Sequence, residues 1–185
     1  MKQVQTFLIS LVVILVLFNT ALSAQGKTLK LIFIRHAEKS ADGDNLTCQG
    51  FNRSMQLSGL LYKRFGRPDN IYVPSVKPGS VTKHARMLQT ISPFIIKYDL
   101  TLNSEFDSDD YEGIGKALLK ENGTVFIIWD HQGITPILEY LGISSSVLNW
   151  PGNDFDSIWI VTFSHKVPSL VKDKERLNPA AGCPF

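Results

Sequence analysis

The sequence predicts an α/β protein, a three-layer α/β/α sandwich built on a mainly parallel sheet. Three observations carry this. Residues 28–34 (TLKLIFI) and 124–129 (TVFIIW) are apolar and β-branched, the pattern of strands covered on both faces, as in parallel sheets. Segments with helical spacing separate the strands, so the order reads strand, helix, strand, helix, strand, helix, strand. The chain of 185 residues, 44% hydrophobic, suits one domain with a sizeable core.

The N-terminus stands apart from that domain. Lys2 is the only charge before Lys27, and residues 7–18 read FLISLVVILVLF, followed by the small and polar NTALSAQG. This is the order of a secretory signal peptide. Ala21 and Ser23 occupy the −3 and −1 positions for cleavage after Ser23, and cleavage after Ala24 is the near alternative. The rival is an uncleaved anchor, but the run falls short of the roughly 20 residues that span a bilayer. The expected organisation is therefore a signal peptide over 1–23 and one domain over 24–185. That domain is expected outside the cytoplasm, periplasmic or secreted, without stable membrane insertion after cleavage.

The elements follow in order. The first strand is 28–34, and the polar, Gly/Asp/Asn-rich stretch 41–49 is a loop. Within 50–65, Met55, Leu57, Leu60, Leu61 and Phe65 recur near a helical period, and Gly66-Arg67-Pro68 stops the helix. A short strand at 70–73 ends at Pro74. After the loop SVKPGSV, 83–97 places Leu88, Ile91 and Ile95 on one helical face, with Pro93 expected to kink or divide the helix. A short strand is expected at 100–102. The acidic loop NSEFDSDD then caps a helix over 111–120. Asn122-Gly123 turns into the strand 124–129. A short helix over 134–141 ends at Gly142. Strand 157–163 alternates, and 170–176 pairs with it as a late hairpin.

Composition narrows the function. A net charge of +2 without a basic block argues against a nucleic-acid partner. In open α/β sheets ligands bind beyond the carboxyl ends of the strands. There the first strand delivers Arg35 and His36, and the strand TVFIIW delivers Asp130 and His131. Between them, KHARMLQT sets Arg86 near a helix N-terminus, a place that attracts anions. Two arginines and two histidines, with no HxH or HExxH spacing, point to anion chemistry rather than to zinc. Arginine grips phosphate oxygens bidentately, and a neutral imidazole can attack phosphorus.

LIFIRHAEK resembles the RHG/RHA signature of the histidine phosphatase superfamily, in its phosphoglycerate-mutase-like branch. LTCQGFNRSMQL is similar to that family's LTxxGxxQA-type segment, ARMLQT resembles its RxxQT segment, and IIWDHQG stands where it carries its second histidine. The resemblance covers 31–142. It implies a phosphoglycerate-mutase-like fold and a histidine acid-type phosphatase, a phosphoric monoester hydrolase needing neither metal nor cofactor. His36 would be the phosphorylated nucleophile, with Arg35, Arg86 and His131 around the phosphoryl oxygens. A carboxylate between Arg86 and His131 would protonate the leaving alcohol. Asp107 ranks first and Glu105 second, with Asp109, Asp110 and Glu112 also in position. The substrate would be a small phosphorylated molecule, with sugar phosphates or envelope-glycan phosphates fitting an exported enzyme. A phosphotransferase or phosphohistidine phosphatase of the same fold, and a non-catalytic phosphate binder, are the alternatives.

Plainer readings stand beside these. Arg35-His36 reads alternatively as a capped strand end with a surface ion pair to Glu38. His131 reads alternatively as a core histidine, and Arg86 as a solvated helix residue. Asp130 beside the pocket would repel phosphate unless its side chain points away. Lys39, Lys83 and His84 flank the motifs, as substrate-binding groups or as a solvated face. Trp150, Trp159 and Phe155 are read as packing rather than substrate stacking, and His165 has no role. Asn45, Asn52 and Asn122 open N-x-S/T triplets. Cys48 and Cys183 are an exported pair, either bridged or free.

Overall fold

The computed structural model describes residues 28–41, 43–77 and 83–183. The expected signal peptide, 1–23, lies outside them. Among the described residues ten elements follow one another: β1 (Lys30–Arg35), α1 (Cys48–Phe65), β2 (Asn70–Tyr72), α2 (Ala85–Tyr98), α3 (Tyr111–Leu118), β3 (Thr124–Trp129), α4 (His131–Tyr140), a 3-10 turn (Ser145–Val147), β4 (Ser157–Ser164) and β5 (Val167–Lys174).

The strands form one sheet in the order β2-β3-β1-β4-β5. β3 pairs in parallel with both β1 and β2. β4 runs antiparallel to β1, and β5 antiparallel to β4, so the late hairpin extends one edge of a parallel core. Alternation along β1 divides the interior. Leu31 and Phe33 face Ile114, Leu118, Ile134 and Ile137 of α3 and α4. Ile32 and Ile34 face Leu57, Leu61, Met87, Ile91 and Phe94 of α1 and α2. The result is the three-layer sandwich, with both faces of the central strands dry. Each such fully buried side chain contributes about 1.5–3 kcal/mol of apolar transfer energy.

Local chemistry moves several boundaries. α1 begins at Cys48 rather than Gly50, because the Thr47 side chain caps it, accepting from Gly50 N at 3.2 Å. Pro93 lies inside a single continuous α2. The stretch 100–102 is not a strand; only Asn103 bridges to Tyr72, since the chain leaves the sheet edge at once and Ser75 N donates to Phe106 O at 2.7 Å. α4 begins at His131, three residues before the expected start, for a reason that belongs to the site. Among the described residues, no helix is long and apolar enough to cross a membrane. Cys48 and Cys183 form a disulfide.

Candidate active site

β1 and β3 end side by side. Arg35 sits opposite Trp129 in the register, and His36 N donates to Trp129 O at 2.9 Å. Just beyond, Asp130 Oδ1 accepts from Gln132 N at 3.0 Å and Gly133 N at 2.9 Å. This carboxylate is the N-cap of α4, so His131 becomes the first helical residue. The capping bonds hold the Asp130 carboxylate on the amides of its own helix, while its charge still acts on Arg35 and His131.

His36 is 1% and Arg35 4% exposed. His36 Nδ1 lies 2.7 Å from Ala37 O. A carbonyl only accepts, so Nδ1 carries the proton and Nε2 the lone pair. Burial first, and then the charges of Arg86 and Arg35, push the His36 pKa down to about 3, against the opposing Ala37 hydrogen bond. The imidazole is therefore neutral through the physiological range.

Arg35 is clamped to the loop before β4. Its Nη1 donates to Gly152 O at 2.7 Å and Asp154 O at 3.1 Å, and Pro151 O lies at 3.4 Å. Its guanidinium carbon stands 3.9 Å from the Phe155 ring centroid, a cation–π stack. That ring centre is also 6.0 Å from the ring of His36. Asp154 braces the loop, accepting from Asp156 N, Ser157 N and Lys174 Nζ at 2.9, 3.0 and 2.6 Å. The same loop lines the second histidine: a Cβ added at Gly152 would lie 3.7 Å from His131 Nε2.

The segment ARMLQT supplies the opposite wall. Arg86 pairs with Asp44 at 3.5 Å. Gln89 Oε1 accepts from Leu46 N at 3.0 Å, and its Nε2 donates to Asn45 Oδ1 at 2.7 Å. Thr90 Oγ1 donates to Arg86 O at 2.7 Å and accepts from Ala37 N at 2.9 Å. One helix face thus ties Arg86 to the residue after His36.

Arg35 Nε, Arg86 Nε, His131 Nδ1 and His84 Nδ1 are buried without a hydrogen-bond partner among the described residues. Buried polar atoms of this kind are costly unless they serve a ligand. Burial, then Arg35, hold the His131 pKa below its usual value, with Asp130 acting against them. Two guanidinium donors and two neutral imidazoles suit a group with several anionic oxygens. Among the described residues, no three His, Cys, Asp or Glu side chains converge to hold a metal ion.

The structure thus brings Arg35, His36, Arg86 and His131 to one sheet edge. It places the other expected residues further out. Asp107 is half exposed and pairs with Lys77 at 3.0 Å. Glu105 is exposed, its backbone N donating to Asn103 Oδ1 at 2.9 Å. Lys39 Nζ donates to Ser40 O and Ala41 O of its own loop, at 3.2 and 3.4 Å, and Lys83 is exposed. Glu38 does not form the surface pair with Arg35 or His36; it pairs with Arg53 at 2.9 Å. Sequence reasoning missed Asp44, Thr90, Gly152, Asp154 and the stacking role of Phe155. PGND is a legible turn signal, but nothing local announces that this turn meets a strand end more than a hundred residues earlier.

No family model and no curated protein matches the chain. Solved structures do resemble it. The protein histidine phosphatase SixA complexed with tungstate aligns with TM-score 0.58 at 14% identity, over 79% of this chain and 97% of that one. Phosphoglycerate mutase from Bacillus anthracis aligns with TM-score 0.56 at 13% identity, over 80% and 93%. A phosphoserine phosphatase mutant from Entamoeba histolytica, complexed with phosphoserine, aligns with TM-score 0.55 at 16% identity, over 76% and 94%. The chain shares with these three structures the phosphoglycerate-mutase-like fold.

Proposed function

We propose that the protein is a phosphatase that hydrolyses phosphate monoesters through a phosphohistidine on His36. One observation carries this reading: His36 is buried and neutral, with Nδ1 bound to Ala37 O at 2.7 Å and Nε2 left as the nucleophilic lone pair. The Nε2 lone pair attacks phosphorus and the bond to the leaving oxygen breaks. That oxygen takes a proton, from Asp107 as first candidate or Glu105 as second. Water then attacks the phosphohistidine and gives its proton to the carboxylate left by the first step, the P–N bond breaks, and phosphate leaves with the imidazole neutral again. Arg35, Arg86 and His131 meet the charge on the phosphoryl oxygens, where loss of one well-placed donor costs about 10²–10³ in rate.

The reading extends to an exported enzyme acting on sugar or envelope-glycan phosphates. The N-terminal apolar run supports export, and the Cys48–Cys183 disulfide suits an oxidising compartment. A phosphohistidine phosphatase is the second reading, favoured by the likeness to the structure named SixA.

The test is turnover of para-nitrophenyl phosphate and a panel of sugar phosphates, alkyl phosphates and phosphohistidine peptides. Acid-labile phosphate should appear on wild type and not on His36→Ala, which should have no activity. Para-nitrophenolate leaves without help, so Asp107→Asn should slow alkyl phosphates about tenfold or more and para-nitrophenyl phosphate little. Wild type that binds phosphate but turns over nothing in the panel would overturn the enzyme reading in favour of a binding protein.

A further inference from the structure

We propose that Arg53 and Glu175 are positioning residues for the loop that carries His36: Arg53 holds Glu38, two residues past His36, and Glu175, just after β5, holds Arg53. The inference rests on the proposed reaction for its activity readout, and its geometry is carried by the ion pairs of Arg53.

Arg53 points inward from the second turn of α1 and is 6% exposed. Its Nε donates to Glu38 Oε1 and Oε2, both at 3.0 Å, and its Nη2 to Oε1 at 2.9 Å. A planar guanidinium fixing a carboxylate from several directions sets its orientation, not merely its distance. The remaining nitrogen, Nη1, donates to Glu175 Oε2 at 2.6 Å and lies 3.7 Å from Asp156 Oδ1. Glu175 is 3% exposed. In the segment that resembles LTxxGxxQA, Arg53 stands at the glutamine position. A guanidinium there needs buried acceptors, and this chain supplies them from both sides.

The backbone of Glu38 is held by the same helix end. Thr47 N donates to Glu38 O at 2.9 Å, and a Cβ added at Gly50 would come within 2.2 Å of that oxygen. The start of α1 therefore grips residue 38 by side chain and main chain together. It also binds the strap after β5. Asn52 Nδ2 donates to Ala180 O and Gly182 O, both at 2.8 Å, and Cys48 is bridged to Cys183. Glu175 thus reaches Arg53 from a segment that is itself fastened to α1.

A purely stabilising role fits poorly. One guanidinium faces three carboxyl groups, those of Glu38, Glu175 and Asp156, and buried ion pairs are weak net stabilisers even when well made. Burial pushes the Glu175 pKa up to about 8, against the pull of Arg53. What the arrangement supplies is a fixed orientation for residue 38, two residues beyond His36.

The experiment compares wild type, Arg53→Lys and Glu175→Gln in the full chain with its disulfide intact. Arg53→Lys keeps the cation and removes the planar fork. Glu175→Gln keeps size and acceptor and strands no charge, so it serves if the lysine variant fails to fold. The expected result is a kcat on para-nitrophenyl phosphate lower by about tenfold to a hundredfold for Arg53→Lys, and by about threefold to tenfold for Glu175→Gln. KM should stay within about threefold, because Arg35 and Arg86 are untouched. Backbone amide exchange over residues 36–40 should quicken in step with the loss of kcat. Folded variants with kcat within about twofold of wild type and unchanged exchange would overturn the proposal. If wild type itself shows no turnover, the phosphatase reading fails separately. The exchange rates and the affinity for inorganic phosphate then decide, and no change in both would overturn the positioning role.

Discussion

His36 presents Nε2 because two ordinary forces act on it together. The Ala37 carbonyl claims the Nδ1 proton, and burial beside Arg86 and Arg35 disfavours a second one. With the pKa near 3, the lone pair exists at all higher pH. A nitrogen-resolved titration from pH 8 to pH 4 should therefore show His36 as one neutral tautomer throughout. A change of state near the ordinary 6.5 of histidine would contradict that. Phe155 acts on the other half of the site. Its ring supports the Arg35 guanidinium at 3.9 Å, an interaction of about 0.5–2 kcal/mol. Phe155→Ala should raise KM for a phosphate ester about threefold to thirtyfold, with the secondary structure unchanged by circular dichroism.

At the scale of elements, the N-terminus of α1 decides how the His36 loop is held. Gly50 permits that contact, since a Cβ would fall 2.2 Å from Glu38 O and 2.9 Å from Glu38 N. Backbone on both sides leaves no flexible group to yield. Gly50→Ala should cost about 1–3 kcal/mol of overpacking and lower turnover together with it, read by thermal unfolding and the ester assay. The disulfide fastens the strap to the same helix end across a sequence separation of 135. Its reduction should lower unfolding free energy by about 2–5 kcal/mol, measured by denaturant titration with and without reductant. An unchanged midpoint would mean that the strap's other contacts suffice.

Two buried groups of opposite sign shape the stability of the whole molecule. The His36 pKa falls from 6.5 to about 3 on folding, so the unfolded chain binds more protons between those values. Stability is lost as pH drops below about 6.5, at up to about 1.4 kcal/mol per pH unit. The Glu175 pKa rises from 4.5 to about 8, so the folded chain binds more protons in that window. Its contribution is full below 4.5 and is lost as pH rises through 8. The two slopes oppose each other between 4.5 and 6.5, which predicts a stability plateau there and a decline on both sides. Glu175→Gln should flatten the alkaline decline and extend the acid one up to about pH 6.5, as read from unfolding midpoints across pH 3 to 9. An unaltered alkaline limb would mean that another group produces it.

Sequence alone determined the parts whose cause is local. The runs TLKLIFI and TVFIIW become β1 and β3, because unbroken apolar residues must be covered on both faces. Arg35 and His36 follow the first run directly, and a parallel sheet collects its strand ends at one edge, so their meeting with His131 was legible. The cap at Asp130 was less so: DHQG reads equally as the tail of a strand, and only the turn into α4 gives its carboxylate two amides. Tertiary structure decided the long-range pairings. β4 enters antiparallel beside β1, which brings the 151–155 turn to Arg35. Its partner β5 carries Glu175 to Arg53, 122 residues away in the chain. A buried charge takes its partner from whichever strand the sheet order lays next to it, and that order is a property of the packed layers rather than of any stretch of residues.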